Sequence, residues 1–367
     1  MKAWRVAFTA ARAAAVMSVI ATLVRGGKAA KPLLPAPPPD VPHRLISVVV
    51  SARNEAGRIG PLLEALQTMV SGGSILEAIV VDDGSSDSTA QMSILAGARV
   101  VMPGPVPVGW AGKPWAIEQG VLAAMGEWIV TFDADVRPST PMPSAAVERC
   151  VADDIDLLTL APAIECPTVG AAWLHPSMLT TLVYRFGRPG VDVAPDRMLA
   201  NGQCMVFRRS WFLDGGGFGA ARSASEEDVA FARLAARRGD RVGFLDAPDL
   251  LVVRAYEDFA HTLLSWGRSI GLASVTPRAR RTLHIVTLAL VMPLPWLRLA
   301  LRRADVVDAA ALATRLGTLV GTAGTYPTAR ATRRLVYYLS PLADPLAWLA
   351  MAAGSIGRRR TWRGRTL

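Results

Sequence analysis

The chain has 367 residues, of which 51% are apolar, with a formal net charge of +10 and a mean hydropathy of +0.30. This apolar content exceeds that of an ordinary soluble domain and indicates membrane contact. The positive charge lies beside the apolar segments near both ends, and no basic segment interleaved with aromatic residues is present, which argues against a nucleic-acid partner. Cys150, Cys166 and Cys204 have no Cys-x-x-Cys spacing, which argues against a zinc site or a disulfide framework and favours a reducing environment.

Residues 1–31 are predicted to form an N-terminal membrane anchor or an interfacial helix. Their apolar segment AAAVMSVIATLV is shorter than the about 20 residues that a full span requires. A short anchor of this kind would tolerate flanking arginines that snorkel toward the lipid headgroups, here Arg5 and Arg12 before the segment. The following stretch KPLLPAPPPDVP can neither continue a helix nor pair as a strand, and residues 32–44 are predicted to be a Pro-rich linker.

Residues 45–255 are predicted to form an α/β domain. Short runs rich in β-branched residues, such as LISVVVSA, EAIVVDDGS and EWIVTFDAD, alternate with amphipathic segments of helical length. This alternation implies right-handed crossovers and a mostly parallel sheet with flanking helices. Ligands of such sheets bind beyond the carboxyl ends of the strands.

The C-terminal third is predicted to contact the membrane. It comprises an interfacial helix and basic junction (256–281), membrane helices (282–356) and a basic tail (357–367). Three segments are candidate spans: TLHIVTLALVMPLPWLRLAL, which Pro293 and Pro295 would kink, the weaker VVDAAALATRLGTLVGTAG, and LVYYLSPLADPLAWLAMAAGSI. If all three spanned, the basic tail would lie opposite the catalytic domain, so one of them is expected to be interfacial or re-entrant.

Acidic clusters follow strand-like runs at three places: Asp82 with Asp83, Asp133 with Asp135, and the EED segment at 226–228. In a parallel sheet the first two clusters meet at one edge, where their mutual repulsion calls for a cation. Mg²⁺ or Mn²⁺ bridging a diphosphate would meet that need, since hard cations take carboxylate and phosphate oxygens. Each cluster alone is also compatible with solvated turns and helix caps, with Ser86, Asp87 or Ser88 capping the next helix.

Five motifs in order carry a family resemblance. They are ISVVVSARNEAGRI, VVDDGSSDST, GWAGKPWAIEQG, TFDADVRPS and EEDVAF. Together they resemble the nucleotide-sugar domain of glycosyltransferase family 2 over about residues 45–255. The resemblance implies a GT-A fold, a nucleoside diphosphate sugar donor, a divalent metal and inversion of the anomeric centre.

The same resemblance implies roles for individual residues. Asp228 corresponds to the catalytic base, with Glu227 as the alternative, although a helical EED segment would point Glu227 elsewhere. An inverting transfer needs such a carboxylate to take the acceptor's proton. Asp135 corresponds to the metal ligand, with Asp133 beside it. The donor-binding residues, among which Asp83 would contact the nucleobase, are Ser51, Arg53, Glu55, Asp82, Asp83, Lys113 and Asp133.

The chain departs from the family pattern at two places. Glu118 stands where relatives have Asn, and the Gln-x-x-Arg-Trp motif of processive synthases is absent. HTLLSWGRSIG stands in its place, so that Trp266 and Arg268 are candidate acceptor residues or ordinary interfacial anchors. Read as a helix, this region forms an apolar stripe expected to rest on lipid, made of Phe259, Leu263, Trp266 and Ile270.

The N-terminal anchor, the apolar C-terminal third and the GWAGKPWA, SWGRS and WRGR segments resemble the membrane glycosyltransferases of carotenoids (the chlorobactene type) and hopanoid-associated enzymes. Gly202 and Gln203 also fit their acceptor side.

The resulting hypothesis is a cell-membrane enzyme with a cytoplasmic catalytic domain that moves a sugar, from UDP for example, to a hydroxyl of a hydrophobic lipid. The alternatives are a polyprenyl-phosphate sugar transferase, with the arginines at 278–281 binding the phosphate, and a non-catalytic nucleotide-sugar-binding membrane protein.

Overall fold

The computed structural model describes residues 2–25, 31–35, 44–191, 193–254, 256–327, 331–356, 361–362 and 365–366. The predicted linker and basic tail lie largely outside the described residues. By its contacts the chain divides into two compact units. We call them the sheet unit (Ala30–Ala163 and Pro189–Val253) and the helix unit (Met1–Ala29, Ile164–Arg188 and Arg254–Thr366). The segment 164–188, which the sequence analysis included in the α/β domain, groups with the terminal helices.

Thirteen strands are present in the described part of the chain. In chain order they are β1 Ile46–Ala52, β2 Glu77–Asp82, β3 Arg99–Val101, β4 Trp128–Asp133, β5 Val136–Pro138, β6 Leu157–Ala161, β7 Ala163–Glu165, β8 Gly190–Val191, β9 Cys204–Arg208, β10 Val242–Asp246, β11 Leu251–Arg254, β12 Thr361–Trp362 and β13 Arg365–Thr366.

The main sheet has eight strands in the order β3-β2-β1-β4-β9-β6-β10-β8. Strands β3, β2, β1 and β4 are mutually parallel, and so are β6 and β10. Strand β9 lies antiparallel between β4 and β6, and β8 is antiparallel to β10, so the sheet is mixed. A second sheet pairs β5 with β11. The predicted α/β class, with a mostly parallel sheet and flanking helices, is confirmed.

The sheet is covered on both faces, which explains the continuous apolar runs. In β1, Val48 and Val50 enter one hydrophobic cluster and Val49 enters another, and all three are fully buried. The helices of this unit are α2 Gly60–Ser71, α3 Thr89–Leu95, α4 Gly112–Ala123, α5 Met142–Ala152, α7 Arg209–Asp214 and α8 Glu227–Arg238.

Helix α4 packs especially closely on the sheet. A Cβ placed on Gly120 would lie 2.3 Å from Cγ1 of Val49 and 2.9 Å from Cγ2 of Val81, closer than carbon atoms can approach. Only glycine therefore allows α4 to sit this close to β1 and β2. This close packing fixes the distance between the sheet and α4, the helix that carries Lys113 in its first turn.

The helix unit consists of helices in the described residues, apart from the short strands at 164–165, 254 and in the tail. Its helices are α1 Lys2–Arg25, α6 Val169–Phe186, α9 Phe259–His261, a π-helix Thr262–Trp266, α10 Gly267–Ser269, α11 Arg278–Val291, α12 Pro293–Ala300, α13 Val306–Thr322, α14 Ala331–Tyr338 and α15 Asp344–Ser355.

Three helical stretches are long and apolar enough to cross a membrane: Ala3–Arg25, Arg278–Ala300 and Val306–Thr325. The second is bent where α11 gives way to α12 at Pro293, as the prolines predict. The third predicted C-terminal segment is interrupted by a 3₁₀ turn at Ser340–Ala343, which leaves helices of 8 and 12 residues. Neither reaches the length of a full span.

Arg12 does not extend out of the protein, as a snorkelling arginine of a membrane anchor would. Its side chain is 1% exposed and lies within the helix unit, 2.7 Å from Oδ1 of Asp305 and 2.6 Å from Oδ1 of Asp308. Arg298 binds the other oxygens of the same two carboxylates, at 3.0 and 2.9 Å. Arg12 is thus neutralised inside the protein, where two aspartates of a distant segment replace lipid headgroups.

Candidate active site

The acidic clusters that follow β2 and β4 meet at one edge of the sheet, as predicted. In the register of the parallel strands, Ala52 pairs with Asp82 and Ser51 pairs with Asp133. The carboxyl ends of β1, β2 and β4 therefore bring together the loops that follow them. This is the edge at which parallel α/β sheets bind ligands.

The loops after β1 and β2 are held to each other by backbone and side-chain bonds. Nη1 of Arg53 donates to the carbonyl oxygen of Asp83 at 3.0 Å and lies 3.5 Å from its carboxylate. The Asp83 amide donates in turn to the Ala52 carbonyl at 2.9 Å. Asn54, at a φ of +54°, accepts from the Ser86 amide at 2.8 Å. The predicted donor residues Arg53 and Asp83 are thus in contact.

Other acidic residues of these loops stabilise the turn. Oδ1 of Asp82 accepts from the Ser85 amide at 2.8 Å, and Asp87 accepts from the Thr89 amide at 3.0 Å. The Thr89 hydroxyl also donates to Asp87 and lowers the pKa of that carboxyl. Asp87 therefore bonds the first amide of α3, whereas the N-cap residue Ser88 makes no side-chain cap hydrogen bond. Glu55, a predicted donor residue, forms an ion pair with Arg58 at 3.0 Å.

Lys113 is the centre of a second group of predicted residues. Its Nζ lies 2.7 Å from Oδ1 of Asp133 and 3.4 Å from Oε1 of Glu227, and it donates to the Gly202 carbonyl at 3.3 Å. The cation that meets Asp133 at the end of β4 is thus a lysine of the protein itself. The structure brings together residues that lie far apart in sequence and that the family resemblance had assigned to donor, base and acceptor roles.

Asp228 is oriented by the backbone beside this lysine. Its Oδ2 accepts from the Gly202 amide at 2.8 Å and its Oδ1 accepts from the Val229 amide at 2.8 Å. A Cβ on Gly202 would lie 3.0 Å from Nζ of Lys113 and 3.2 Å from Cβ of Asp228, so a side chain there would crowd both groups. The neighbouring Gln203 exchanges bonds with Asn201 and accepts from the Asp133 amide through its carbonyl.

A helical EED segment predicts that Glu227 points away from Asp228, but in the structure both side chains lie near Lys113. The helix begins only at Glu227, after Glu226 with φ −112° and ψ 66°, and Glu227 faces Lys113. Both carboxylates therefore lie near the same ammonium group. The structure leaves both as candidates for the base, with Asp228 the one fixed by two amides.

Burial and charge shift the protonation of this group. Burial raises the pKa of Glu227 and of Asp228, and Lys113 opposes the rise. Burial alone would lower the pKa of Lys113, but the carboxylates of Asp133 and Glu227 outweigh it and raise that pKa above its usual value. Lys113 is thus a permanent cation, whereas the two carboxyls bind protons more readily than exposed ones do.

Asp135, the predicted metal ligand, lies at the same edge of the sheet. Burial and the nearby Asp133 raise its pKa, with Arg58 and Lys113 opposing. It makes no ion pair with the described residues, whereas Asp133 forms an ion pair with Lys113. No group of three or more His, Cys, Asp or Glu side chains that could hold a metal occurs in the described ranges. One or two carboxylates suffice for Mg²⁺ when substrate phosphates supply the remaining ligands.

Glu118, the departure from the family pattern, has a structural partner. Its Oε2 accepts from the Phe218 amide at 3.0 Å, and a Cβ on Gly217 would lie 2.5 Å from its Oε1. Gly217 has a φ of +55°, so the run of three glycines forms a tight turn closed by this carboxylate. Burial raises the pKa of Glu118. The position therefore stabilises the 215–218 turn.

Sequence reasoning missed two residues near the site. Arg58 acts on Asp135 through its charge, and Asn201 fixes the side chain of Gln203. Arg58 lies within the ARNEAGRI motif, so its spacing from Arg53 was a usable signal. Asn201 offered none, because its role depends on a turn that only the fold defines.

The predicted acceptor residues Trp266 and Arg268 lie in the helix unit. Trp266 is half-buried, and its ring stacks on the buried His175 with centroids 4.1 Å apart. Arg268 is exposed. The members of the apolar stripe pack against the core of the helix unit, where Ile270 is buried and the other three are partly buried: Phe259, Leu263, Trp266 and Ile270. Contact of their remaining surface with lipid stays a prediction.

Comparisons with known proteins agree with the family resemblance. Residues 47–216 match the model of the family Glycosyl transferase family 2. Over 96 residues the chain is 38% identical to the 4,4'-diaponeurosporenoate glycosyltransferase of Staphylococcus aureus strain USA300, which covers 26% of this chain and 24% of that relative. The enzyme of strain Newman matches equally. The chain thus spans about a quarter of the length of these curated relatives.

Among solved structures, the chain is similar to glucosyl-3-phosphoglycerate synthase from Mycobacterium tuberculosis in complex with Mn²⁺, UDP-glucose and phosphoglyceric acid. The identity is 22% and the TM-score 0.44, over 65% of this chain and 80% of that one. The family match over residues 47–216 includes Arg53, Asp83, Lys113 and the Asp133 to Asp135 motif. Residues 47–216 therefore match a glycosyltransferase family 2 domain.

Proposed function

We propose that the protein is a membrane-attached, metal-dependent, inverting glycosyltransferase. It moves a sugar from a nucleoside diphosphate sugar to a hydroxyl group of a hydrophobic lipid, such as a carotenoid or another isoprenoid. A UDP-sugar is the first candidate for the donor. The observation that carries the proposal is the cluster of Lys113, Asp133, Glu227 and Asp228 around the Gly202 peptide.

This cluster supplies the parts that sugar transfer needs. A base must take the proton of the acceptor hydroxyl, and Asp228 is held for that task by the Gly202 amide. A cation must attract the diphosphate, and Lys113 is a permanent one at the same place. The loop pair of Arg53 and Asp83 lies at the same sheet edge and is the proposed site for the nucleoside.

The proposed metal site consists of Asp135, with Asp133 beside it and donor phosphates as the other ligands. Mg²⁺ or Mn²⁺ held there would neutralise the charge that develops on the departing diphosphate. The protein's own contribution is to hold the carboxylate of Asp133 2.7 Å from the ammonium group of Lys113.

Two observations support a lipid acceptor and a membrane location. Three helical stretches have the length and composition of membrane spans. The matched relative from Staphylococcus aureus is named as a glycosyltransferase acting on diaponeurosporenoate. The catalytic domain would then lie on the cytoplasmic side, where nucleotide sugars are made.

The test is to incubate membranes that contain the full chain with a labelled UDP-sugar and Mn²⁺, and to extract the lipids. An alkali-stable, labelled glycolipid that is absent for Asp228→Asn supports the proposal. An acid-labile lipid phosphate sugar would instead indicate a polyprenyl-phosphate transferase. Donor binding without any labelled lipid, with lipids of the native cell supplied, would indicate a non-catalytic binding protein.

A further inference from the structure

An uncharged loop of the sheet unit exposes apolar side chains to solvent. Its sequence, Met102 to Trp110, is MPGPVPVGW and contains no charged residue in a chain whose Lys, Arg, Asp and Glu make up 19%. The side chain of Met102 is 73% exposed and that of Val108 is fully exposed. Isolated exposed apolar residues are common, but an uncharged, largely exposed segment of nine residues offers an apolar surface that a partner could cover.

The loop leads directly into the candidate active site. It follows the carboxyl end of β3, and β3 is parallel to β2, so it begins at the edge where Asp82 and Asp83 lie. It ends three residues before Lys113, the lysine that pairs with Asp133. Whatever contacts this loop is therefore close to the reacting groups.

The loop has a defined shape. The Trp115 indole donates to the Gly104 carbonyl at 3.3 Å, and its ring meets the edge of Trp110 at 5.4 Å. The Trp110 amide donates to the Pro107 carbonyl at 3.1 Å, which closes the turn that carries Val108 at its tip. The following amide, that of Ala111, donates to the Arg222 carbonyl at 2.7 Å. The exposed side chains are thus presented by a loop that is fixed at both ends.

The chemistry of the loop favours a lipid surface over a protein strand. Pro103, Pro105 and Pro107 have no amide hydrogen, so the loop cannot extend a sheet by pairing with another chain. Tryptophans with an apolar body and a polar N–H, such as the Trp110 and Trp115 pair, are enriched at the membrane–water boundary. The exposed Arg222 lies beside Gly109 and supplies a cation for lipid phosphates.

We infer that the loop Met102–Trp110 inserts into the polar boundary of a lipid bilayer and holds the Lys113 edge of the sheet at that boundary. A lipid whose hydroxyl stays at this level then reaches the site without leaving the bilayer. The guiding of an acceptor rests on the proposed function, whereas lipid contact by the loop does not.

The molecule supplies a matched control for this inference. Leu95 is 77% exposed, about as much as Met102, and lies in the same unit. It ends α3, which returns antiparallel to the strands, so Leu95 lies toward the amino end of β3, opposite the loop. The three native cysteines are buried, so an introduced surface cysteine can be labelled selectively.

The first experiment places an environment-sensitive fluorophore on Val108→Cys and, separately, on Leu95→Cys in the full chain reconstituted into phosphatidylcholine vesicles, with and without phosphatidylglycerol. The label at 108 is expected to emit at shorter wavelength, to resist aqueous iodide and to be quenched by nitroxide-labelled lipid. The label at 95 should show the opposite. Iodide access at 108 equal to that at 95 would overturn the inference, as would iodide protection at 108 without quenching by the lipid nitroxide, which indicates a protein contact.

The second experiment compares Val108→Glu with Leu95→Glu in sugar transfer. Transfer to an acceptor embedded in vesicles should fall by up to about fivefold for Val108→Glu, since a charge near the bilayer interface is penalised by no more than that. Hydrolysis of the donor by water, and transfer to a short water-soluble acceptor, should stay unchanged. Equal losses for both variants, or for both acceptors, would contradict the inference. If the unmodified enzyme transfers no sugar at all, the proposed function fails while the fluorescence result still decides lipid contact.

Discussion

The two units treat buried charge in different ways. In the helix unit, Arg12 and Arg298 face Asp305 and Asp308, so that two cations balance two anions. In the sheet unit, the single ammonium of Lys113 faces three carboxylates: Asp133, Glu227 and Asp228.

This difference separates a structural ion cluster from a functional one. A balanced cluster has no electrostatic reason to bind anything further, and breaking it exposes an unpaired charge. An unbalanced cluster carries excess negative charge, which raises the affinity of its carboxyls for protons and creates room for another cation. The imbalance at Lys113 is therefore what the proposed binding of a metal-bound donor and the proposed proton transfer require.

The largest expected effect follows removal of the proposed base. Asp228→Asn should lower turnover by about 10²–10⁴-fold while donor affinity stays nearly constant, because only the proton acceptor of the transition state is lost. Titration of UDP binding alongside labelled-sugar transfer measures both quantities. Glu227→Gln is the matched control and should cost less. A larger loss for Glu227→Gln would make Glu227 the base, and an equal loss of donor affinity in Asp228→Asn would make Asp228 a donor ligand.

A buried pair of the helix unit gives the corresponding structural test. Arg315 and Asp344 are each 1% exposed and lie 3.0 Å apart. Arg315→Met should lower the free energy of unfolding by about 3–5 kcal/mol, because Asp344 is left buried and unpaired. Thermal unfolding in detergent should show that Arg315→Met with Asp344→Leu recovers much of the loss. A double variant no more stable than the single one would contradict a closed, balanced pair.

The two carboxylates after β4 should differ in their importance. Asp135→Ala is expected to reduce turnover by about 100-fold or more, since a metal held there is worth several kcal/mol in the transition state. Asp133→Ala should cost less, because Lys113 already occupies this carboxylate. A chelator should abolish activity and added Mn²⁺ should restore it. Turnover of Asp135→Ala near the unmodified level, or activity that ignores the chelator, would rule out the metal role.

The charge of Lys113 should appear in the pH profile. Burial raises the pKa of Glu227 and Asp228, and Lys113 lowers it. The base acts in its deprotonated form, so kcat/KM should fall on the acidic side at a pH above the ordinary carboxyl pKa of about 4. Lys113→Gln removes the opposing charge, which raises these pKa values further and moves the acidic limb to higher pH. Lys113→Arg keeps the charge and should leave the acidic side of the kcat/KM profile at the same pH. An equal shift of this acidic side in both variants would refute the electrostatic role of Lys113.

The smallest effect is expected at Trp266. Trp266→Ala should impair transfer to a lipid acceptor while donor hydrolysis is retained, if the predicted acceptor role is correct. Because the ring stacks on His175 at 4.1 Å, Trp266→Phe serves as a control that preserves an aromatic contact. Loss of hydrolysis and lipid transfer together would identify Trp266 as a folding residue.

The sheet edge was predictable because its signals are local. The runs that form β1, β2 and β4 are continuous and apolar, as strands buried on both faces must be, and the helical segments between them imply parallel pairing. The meeting of Asp82 with the end of β1, and of Asp133 with Ser51, follows from that pairing alone.

Partners across long separations were not predictable. Arg12 binds Asp305 across 293 positions, and nothing in a local pattern reveals which distant carboxylate a buried arginine meets. The direction of Glu227 depends on where helix α8 begins, and a shift of one residue at a helix start rotates a side chain by about 100°. The stripe at 259–270 has the expected spacing, but spacing cannot tell lipid from protein as its neighbour.

The position of strand β9 in the sheet affects when the sheet can be completed during synthesis of the chain. It lies between β4 and β6, although it is made after both. By the time Arg208 emerges, the nascent chain has already delivered α6, which belongs to the other unit and packs there on α14 and α15, made more than 120 residues later. The apolar surface of helix α6 is therefore partly exposed to solvent during the interval in which the strands before and after it in sequence form the sheet. A chaperone or the membrane-insertion machinery that shields one apolar helix during this interval would serve this protein at residues 169–186.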